Sequence, residues 1–221
     1  MLLVLSPSKT QVINGRTISE WTVPPLLQRA EELAAILRGM DEKALAELMH
    51  ISPRLASHTY HCFQTMTFPF TTKNSSQALL VFRGGQYKPI EIDRYSEDDF
   101  MYAQQHLCIL SGLYGVLRPL DLIQPYRLEM GTKLVTGSGN NLYQFWDGQI
   151  TETVRTLMAD LKHPVLVKLA SVEYFRAVRA RELGVPVLKI DFNPHFSQRS
   201  LRKAGKCREC GVTASKSPQT Y

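Results

Sequence analysis

Three short apolar runs, each followed by a serine, constrain the fold of this chain more than any other feature. The runs and their serines span residues 2–6, 107–111 and 165–171. Runs of this length and composition are typical of buried strands, and helical patterns separate them along the chain. Strands that alternate with helices predict an α/β fold with a mainly parallel, mixed sheet and surrounding helices.

The three serines predict a binding site at one edge of this sheet. In open α/β sheets, ligands bind outside the carboxyl ends of the strands. We therefore expect the serines to lie close together with the charged side chains near them. The predicted set is Ser6, Ser111 and Ser171 with Lys9, Arg118, Arg127 and Glu173.

The turn after the first run offers a candidate anion anchor. It reads SPSKT, so that the ammonium group of Lys9 is flanked by three hydroxyl groups. A solvated turn that happens to contain a lysine is an equally simple interpretation. The stretch from Leu107 to Gly131 is the second candidate, because paired glycines and prolines fix the geometry of a long loop, and such loops are commonly functional.

A helical pair over residues 42–65 resembles a helix-hairpin-helix. Ile51, Ser52 and Pro53 separate two short helical patterns, where the usual hairpin has glycines. Such a module holds DNA phosphates through backbone N–H groups and a helix N-terminus. If the module is real, Arg54, His58 and His61 supply its polar DNA contacts. An ordinary packed helical pair remains the alternative.

Four other segments carry structural predictions. The run from Ala78 to Phe82 predicts a strand, as does the segment from Val185 to Phe192. One long amphipathic helix is predicted from Leu142 to Leu161. Ser96 should cap a helix, since acidic residues follow it in the first turn.

The charge of the chain is unevenly distributed. The 221 residues carry a net charge of +6, and residues 193–221 supply +5 of it, with six basic residues against Glu209. The remaining residues are nearly neutral, so the overall charge alone is weak support for a DNA surface. We predict one α/β domain over residues 1–192 and an atypical basic tail over 193–221.

Composition predicts a soluble, cytoplasmic protein with no membrane segment. No apolar run approaches the roughly 20 residues that span a bilayer, and the first residues lack the pattern of a signal peptide. Cys207 and Cys210 form a single C-x-x-C, and no second ligand pair at zinc-site spacing accompanies it. We therefore predict no metal site and no cofactor.

Four blocks of sequence resemble the YaaA peroxide-stress family. They read SPSKT, SEDDF…AQQHL, LSGLYGVLRPLDLIQPYRLEMG and LYQFW, and the resemblance extends from Met1 to about Asp191. The motif positions it indicates are Ser6, Lys9, Thr10, Ser111, Gly112, Tyr114, Gly115, Arg118, Pro119, Pro125, Tyr126, Arg127, Ser171, Glu173 and Tyr174. Of these, the expected ligand-binding or phosphate-binding residues are Ser6, Lys9, Thr10, Ser111, Arg118, Tyr126, Arg127 and Ser171.

The chain departs from the family pattern in two places. Lys168 stands where the family has asparagine. From Asn193 onward the sequence lacks the family's basic helix and further strands, which predicts a frameshifted, replaced or disordered end.

The resemblance implies a DNA-binding protein of the peroxide stress response that limits peroxide and iron-mediated damage. An alternative is an enzyme that binds a nucleobase or nucleotide at the strand ends, because the central block also resembles proteins of nucleobase modification. In that case Lys9 would hold an anion, and Tyr114 or Glu173 would handle protons. A third interpretation is a truncated relative with an exposed sheet edge and low stability.

Overall fold

The computed structural model describes residues 1–13 and 15–190, together with the backbone of residues 214–216. The rest of the basic tail, including Cys207 and Cys210, lies outside the described residues. The predicted domain boundary therefore remains a prediction.

The strands form one six-stranded sheet and two small two-stranded sheets. In chain order they are β1 (Leu2–Leu5), β2 (Thr10–Gln11), β3 (Ser76–Gln77), β4 (Phe82–Arg83), β5 (Leu107–Ser111), β6 (Gly115–Leu117), β7 (Leu122–Ile123), β8 (Leu166–Lys168), β9 (Val187–Ile190) and β10 (Ala214–Lys216). The large sheet has the order β10-β9-β8-β1-β5-β6. Its four inner strands are parallel, and β6 and β10 pair antiparallel at the two edges. This confirms the mainly parallel, mixed sheet.

Helices surround the sheet. They are α1 (Leu27–Arg38), α2 (Glu42–Met49), α3 (Pro53–Thr65), α4 (Ala78–Val81), α5 (Glu97–His106), α6 (Leu142–Trp146), α7 (Gln149–Met158) and α8 (Val172–Phe175). Short 3₁₀ turns occupy Lys88–Ile90, Ile92–Arg94 and Ala180–Glu182. The predicted cap of α5 is confirmed: Ser96 and Asp99 form a reciprocal capping box.

The strand order places a topological switch between β1 and β8. The chain leaves β1, forms β5 on one side of it, and later returns to form β8 on the other side. A crevice opens outside the carboxyl ends of two strands whose connections leave in opposite directions, and this is where α/β proteins bind ligands. Ser6 and Ser171 follow these two strands directly.

The buried core is continuous across the sheet and its helices. The strand β5 is fully buried from Cys108 to Ser111, and Trp146 is fully buried against the turn after it. The indole Nε1–H of Trp146 donates to the carbonyl of Gly112 at 3.0 Å. The central stretch is therefore packed inside the protein rather than exposed as a loop.

The strand predicted from Ala78 to Phe82 is wrong. Four of these residues form the helical turn α4, and only Phe82 enters a strand. All five side chains are buried, and a buried apolar run of this length does not distinguish helix from strand. The N–H groups of Ala78 and Leu79 donate to the carbonyls of Asp121 and Pro119, which satisfies the start of the turn.

The single helix predicted from Leu142 to Leu161 is also wrong. It is divided into α6 and α7, because Asp147 adopts a positive φ of 41° and Gly148 follows it. The apolar periodicity continues across the break, with Leu142, Trp146 and Ile150 all fully buried. The apolar periodicity therefore predicted the buried face correctly, but it did not predict the break in the helix at Asp147 and Gly148.

The helical pair forms as two packed helices. Asp41 caps α2, His50 ends it in the left-handed region, and α3 begins at Pro53. The predicted DNA-binding character of this pair remains a prediction. Within the part of the chain that the structure describes, none of the helices has the length and apolar character that crossing a membrane requires.

Candidate strand-end site

The carboxyl ends of β1 and β8 are joined by their serines. The Ser6 hydroxyl donates to Ser171 Oγ at 3.3 Å and accepts from the Ser171 N–H at 2.9 Å. Ser171 also caps α8, since its Oγ accepts from the Tyr174 N–H. Two of the three predicted serines therefore meet at the topological switch.

Two cations converge on one carboxylate beside these serines. Lys9 Nζ lies 2.7 Å from Oε1 of Glu129, and the guanidinium of Arg127 lies 3.6 Å from the same oxygen. The side chains of Arg127 and Glu129 are 19% and 33% exposed, whereas that of Lys9 is 67% exposed, so water reaches the network from the Lys9 side. Glu129 thus stands where an anionic ligand of Lys9 and Arg127 would place an oxygen.

These residues line a narrow crevice. Its lining consists of Pro7, Ser8, Lys9, Gln11, Tyr126, Arg127, Leu128, Glu129 and Tyr174. The free volume is about 20 Å³, which is room for roughly one water molecule. A larger ligand would need the Lys9–Glu129 contact to open.

Tyr126 joins the third serine to the crevice. Its hydroxyl lies 2.7 Å from Ser111 Oγ, and its backbone N–H and C=O both pair with the side-chain amide of Gln11. Gly112 allows the segment that carries Tyr126 to approach β5, because a Cβ there would lie 2.3 Å from the Leu128 carbonyl oxygen. The segment 126–129 is therefore fixed on both sides.

Glu173 is held by the backbone on the other side of the crevice. Its Oε1 accepts from the Gly131 N–H at 2.9 Å, and its carbonyl accepts from the Tyr143 hydroxyl at 3.0 Å. These contacts fasten α8 to the segment after Glu129. The carboxylate is accordingly engaged with the protein itself.

Burial raises the pKa of the tyrosines around the site above the ordinary value. For Tyr126, burial raises the pKa and the hydrogen bond with Ser111 opposes the rise; for Tyr174, burial dominates and neighbouring ionisable groups add to it. The pKa of Tyr87 is raised for the same first reason. At neutral pH these hydroxyls are therefore hydrogen-bond donors rather than phenolate bases.

The structure does not bring every predicted residue to the crevice. Tyr114 is fully buried, and its hydroxyl donates to the Gln124 carbonyl at 3.2 Å. Arg118 follows β6, which runs antiparallel to β5. The chain at Arg118 is therefore directed toward the amino end of β5, away from the crevice. Its guanidinium pairs there with Asp121 at 3.4 Å. Thr10 is exposed and pairs with β4.

The predicted DNA contacts lie apart from the crevice lining. Arg54, His58 and His61 are all exposed on α3. Their spacing of four and three residues places them on one face of the helix. They form a single stripe.

Five residues of the crevice lining were not among the predicted site residues: Pro7, Ser8, Gln11, Leu128 and Glu129. Glu129 had a usable signal, since an acidic residue two positions after Arg127 in an extended segment points to the same side. Gln11 had none, because its pairing with Tyr126 spans 115 positions.

The chain is similar to known proteins over most of its length. The family model described as peroxide stress protein YaaA matches residues 1–207. A UPF0246 protein of Acaryochloris marina is 48% identical over 192 residues, which are 87% of this chain and 75% of that protein. A UPF0246 protein of Cellvibrio japonicus is 46% identical over 193 residues, with the same two shares. This chain belongs to the YaaA peroxide stress protein family.

Proposed function

We propose that this protein acts in the peroxide stress response as a cytoplasmic DNA-binding protein that limits peroxide and iron-mediated damage. The family's name supports the physiological role. The observation that carries the DNA-binding proposal is the exposed stripe of Arg54, His58 and His61 on α3. In this proposal the helical pair acts as a helix-hairpin-helix.

The start of α3 suits a phosphate. Ser52 precedes the helix without a side-chain capping bond, and Pro53 has no N–H group. The N–H groups of Arg54 and Leu55 therefore have no acceptor within the helix. Helix N-termini and arginine side chains both hold DNA phosphates. Among the described residues, no carboxylate lies within 4.0 Å of Arg54 to compete.

The charge of the helical pair predicts a weak, local contact. Residues 42–65 carry two basic and two acidic side chains when histidines are counted as neutral. The pair therefore has no long-range attraction for DNA, and the stripe itself must supply the contacts. Each phosphate contact contributes about 0.9 to the slope of log affinity against log salt.

The test is duplex binding by the double variant Arg54→Ala/His58→Ala, followed by fluorescence anisotropy across a salt series. We expect affinity to fall about tenfold or more and the salt slope to decrease by roughly one. The matched control is Lys162→Ala/His163→Ala, which removes a cation and an exposed histidine from the loop before β8. Equal affinity of the wild type and the α3 variant would remove the helical pair from the proposal.

A second candidate function is the binding of a nucleobase or nucleotide at the strand-end site, with or without catalysis. The observation that favours it is the pair of cations, Lys9 and Arg127, that share Glu129 at the switch between β1 and β8. Arg127 also has a buried Nε–H without a hydrogen-bond partner among the described residues. Ligand oxygens are suitable acceptors for such a donor.

Calorimetric titration with adenosine monophosphate tests this candidate. The comparison is made in a background that carries Arg83→Gln/Lys88→Gln, which removes two cations outside the crevice lining. In that background, adding Lys9→Gln/Arg127→Gln should weaken binding at least several-fold, because two charge-assisted contacts are lost. Unchanged affinity in this variant would show that the crevice does not hold the ligand. Duplex binding by the same variant should be unaffected, which separates this candidate from the first.

A further inference from the structure

We propose that a separate pocket, formed by the segment from Arg83 to Asp93, binds a small phosphorylated compound of mononucleotide size. The lining residues are Arg83, Gly84, Tyr87, Lys88, Glu91, Ile92 and Asp93. Its volume is about 310 Å³, at the lower end of the roughly 300–1,000 Å³ typical of small-molecule sites. The strand-end crevice, at about 20 Å³, is far smaller.

The pocket lining carries two cations and two carboxylates, and each carboxylate has an arginine partner. Glu91 is paired with Arg94 at 3.0 Å, and Asp93 lies 3.6 Å from the guanidinium of Arg83. Lys88 has no carboxylate within 4.0 Å in the described part of the chain. One ammonium group is therefore available to an incoming phosphate, next to a guanidinium that is only partly neutralised.

Arg83 is held in place for such a contact. It lies in β4, which pairs with β2, and its Nη1 donates to the Phe82 carbonyl at 3.0 Å. The side chain is 26% exposed, so its position is set by packing rather than by solvent. A planar guanidinium on a fixed strand recognises the oxygens of a phosphate with defined geometry.

The remaining lining residues, Gly84, Tyr87 and Ile92, carry no charge. Tyr87 is 2% exposed and packs against Phe82 with ring centroids 5.5 Å apart. Its hydroxyl donates to the Ser6 carbonyl at 2.7 Å. Ile92 is also buried. A phosphorylated ligand of this size would meet the cations through its phosphate and the uncharged part of the lining through the rest of the molecule.

The pocket shares a wall with the strand-end crevice. Gly84 has a φ of 112°, and a Cβ there would lie 2.9 Å from Ser8 Oγ. Ser8 lines the crevice and Gly84 lines the pocket. The pocket thus adjoins the topological switch. Ligand binding in the pocket does not depend on DNA binding, and it does not depend on Lys9 or Arg127.

The test is calorimetric titration of the full chain with adenosine monophosphate, inorganic pyrophosphate and uncharged adenosine. We expect the two phosphate compounds to bind and adenosine to bind at least tenfold more weakly than adenosine monophosphate. The variant Arg83→Gln/Lys88→Gln should lower the affinity for adenosine monophosphate tenfold or more. The control variant Lys73→Gln/Arg181→Gln removes the same charges at exposed positions elsewhere and should bind as the wild type does.

Several outcomes would overturn the inference. One is equal affinity of the wild type and the Arg83→Gln/Lys88→Gln variant. Another is binding that is lost in Lys9→Gln/Arg127→Gln but kept in the pocket variant, which would assign the ligand to the crevice alone. The inference would also be overturned if the wild type bound neither phosphate compound at millimolar concentrations. If the double variant fails to fold, the same titration is made with Lys88→Gln alone, since Lys88 is exposed and outside every strand. An affinity for adenosine monophosphate equal to that of the wild type would then overturn the inference.

Discussion

Glu129 is the residue whose charge most directly controls the strand-end crevice. It neutralises Lys9 and Arg127 in the structure, so an anionic ligand must compete with it. Replacing Glu129 with glutamine removes that competition while keeping the size of the side chain. We expect pyrophosphate to bind the crevice about 2–5-fold more tightly, the effect of one partly exposed ion pair.

This prediction is measured by calorimetry in the Arg83→Gln/Lys88→Gln background, so that the neighbouring pocket does not contribute. Glu47→Gln is the charge-matched control, since Glu47 is exposed on α2 and outside the crevice lining. An unchanged or weaker affinity in Glu129→Gln would show that the carboxylate does not occupy the anion position.

Asp121 gives the protein a pH-dependent component of stability. Burial raises the pKa of this carboxyl to about 6, and hydrogen bonds from Thr22 and Arg118 oppose the rise only in part. The folded state therefore holds the proton more tightly than the unfolded state. The stabilisation is fully present below pH 4 and is lost as the pH rises through about 6, by roughly 3 kcal/mol in total.

Urea unfolding of the wild type and Asp121→Asn at pH 4.5 and pH 7 measures this effect. Asparagine does not titrate, so the stability of the wild type relative to the variant should decrease as the pH rises. The variant should also be less stable at both pH values by about 1–3 kcal/mol, because its amide cannot accept from both donors. A relative stability that is constant or that increases with pH would contradict the assignment.

At the scale of elements, Gly112 couples the strand β5 to the segment that carries the crevice residues. A Cβ at Gly112 would meet the Leu128 carbonyl oxygen at 2.3 Å, and this neighbour is backbone that cannot rotate away. Gly112→Ala should therefore destabilise the protein by about 1–3 kcal/mol and displace Arg127 and Glu129. Thermal unfolding and pyrophosphate titration report the two effects.

Gly137→Ala is the matched control for this substitution. No heavy atom lies within 4 Å of a Cβ built there, and its φ is not in the left-handed range. The control should change the free energy of unfolding by less than about 0.5 kcal/mol. Equal stability of the two variants would show that the approach of Leu128 to β5 is not tight.

The elements that the sequence predicted correctly are those with strong local patterns. The apolar runs that became β1, β5 and β8, and the capping box at Ser96, depend on neighbouring residues alone. The run from Ala78 became a helical turn because its N–H groups bond to the distant segment near Asp121. Local propensity contains no information on such a partner, and tertiary contacts decide the outcome.

The same distinction explains the candidate site. That parallel strands end at one edge is a rule of the fold, so Ser6 and Ser171 could be placed together from the sequence. The position of Arg118 away from the crevice could not be predicted, because it follows from the antiparallel direction of β6. The pocket around Arg83 was equally hidden, since it depends on two 3₁₀ turns joined at Glu91.

At the scale of the whole molecule, we propose three separate places for an anion: the α3 stripe, the strand-end crevice and the Arg83–Asp93 pocket. The body carries little net charge, and residues 193–221 hold most of the excess positive charge. A basic segment binds DNA non-specifically. The location of the bound duplex therefore decides between the helical pair and this segment.

The measurement that tests the DNA-binding proposal most directly is hydrogen–deuterium exchange of the full chain with and without a saturating DNA duplex. We predict slower exchange in peptides that cover residues 50–65, since phosphates would engage the first-turn N–H groups of α3. Peptides over residues 126–131 should be unchanged. Protection confined to residues 193–221, with none in α3, would contradict the proposal and assign DNA binding to the basic tail.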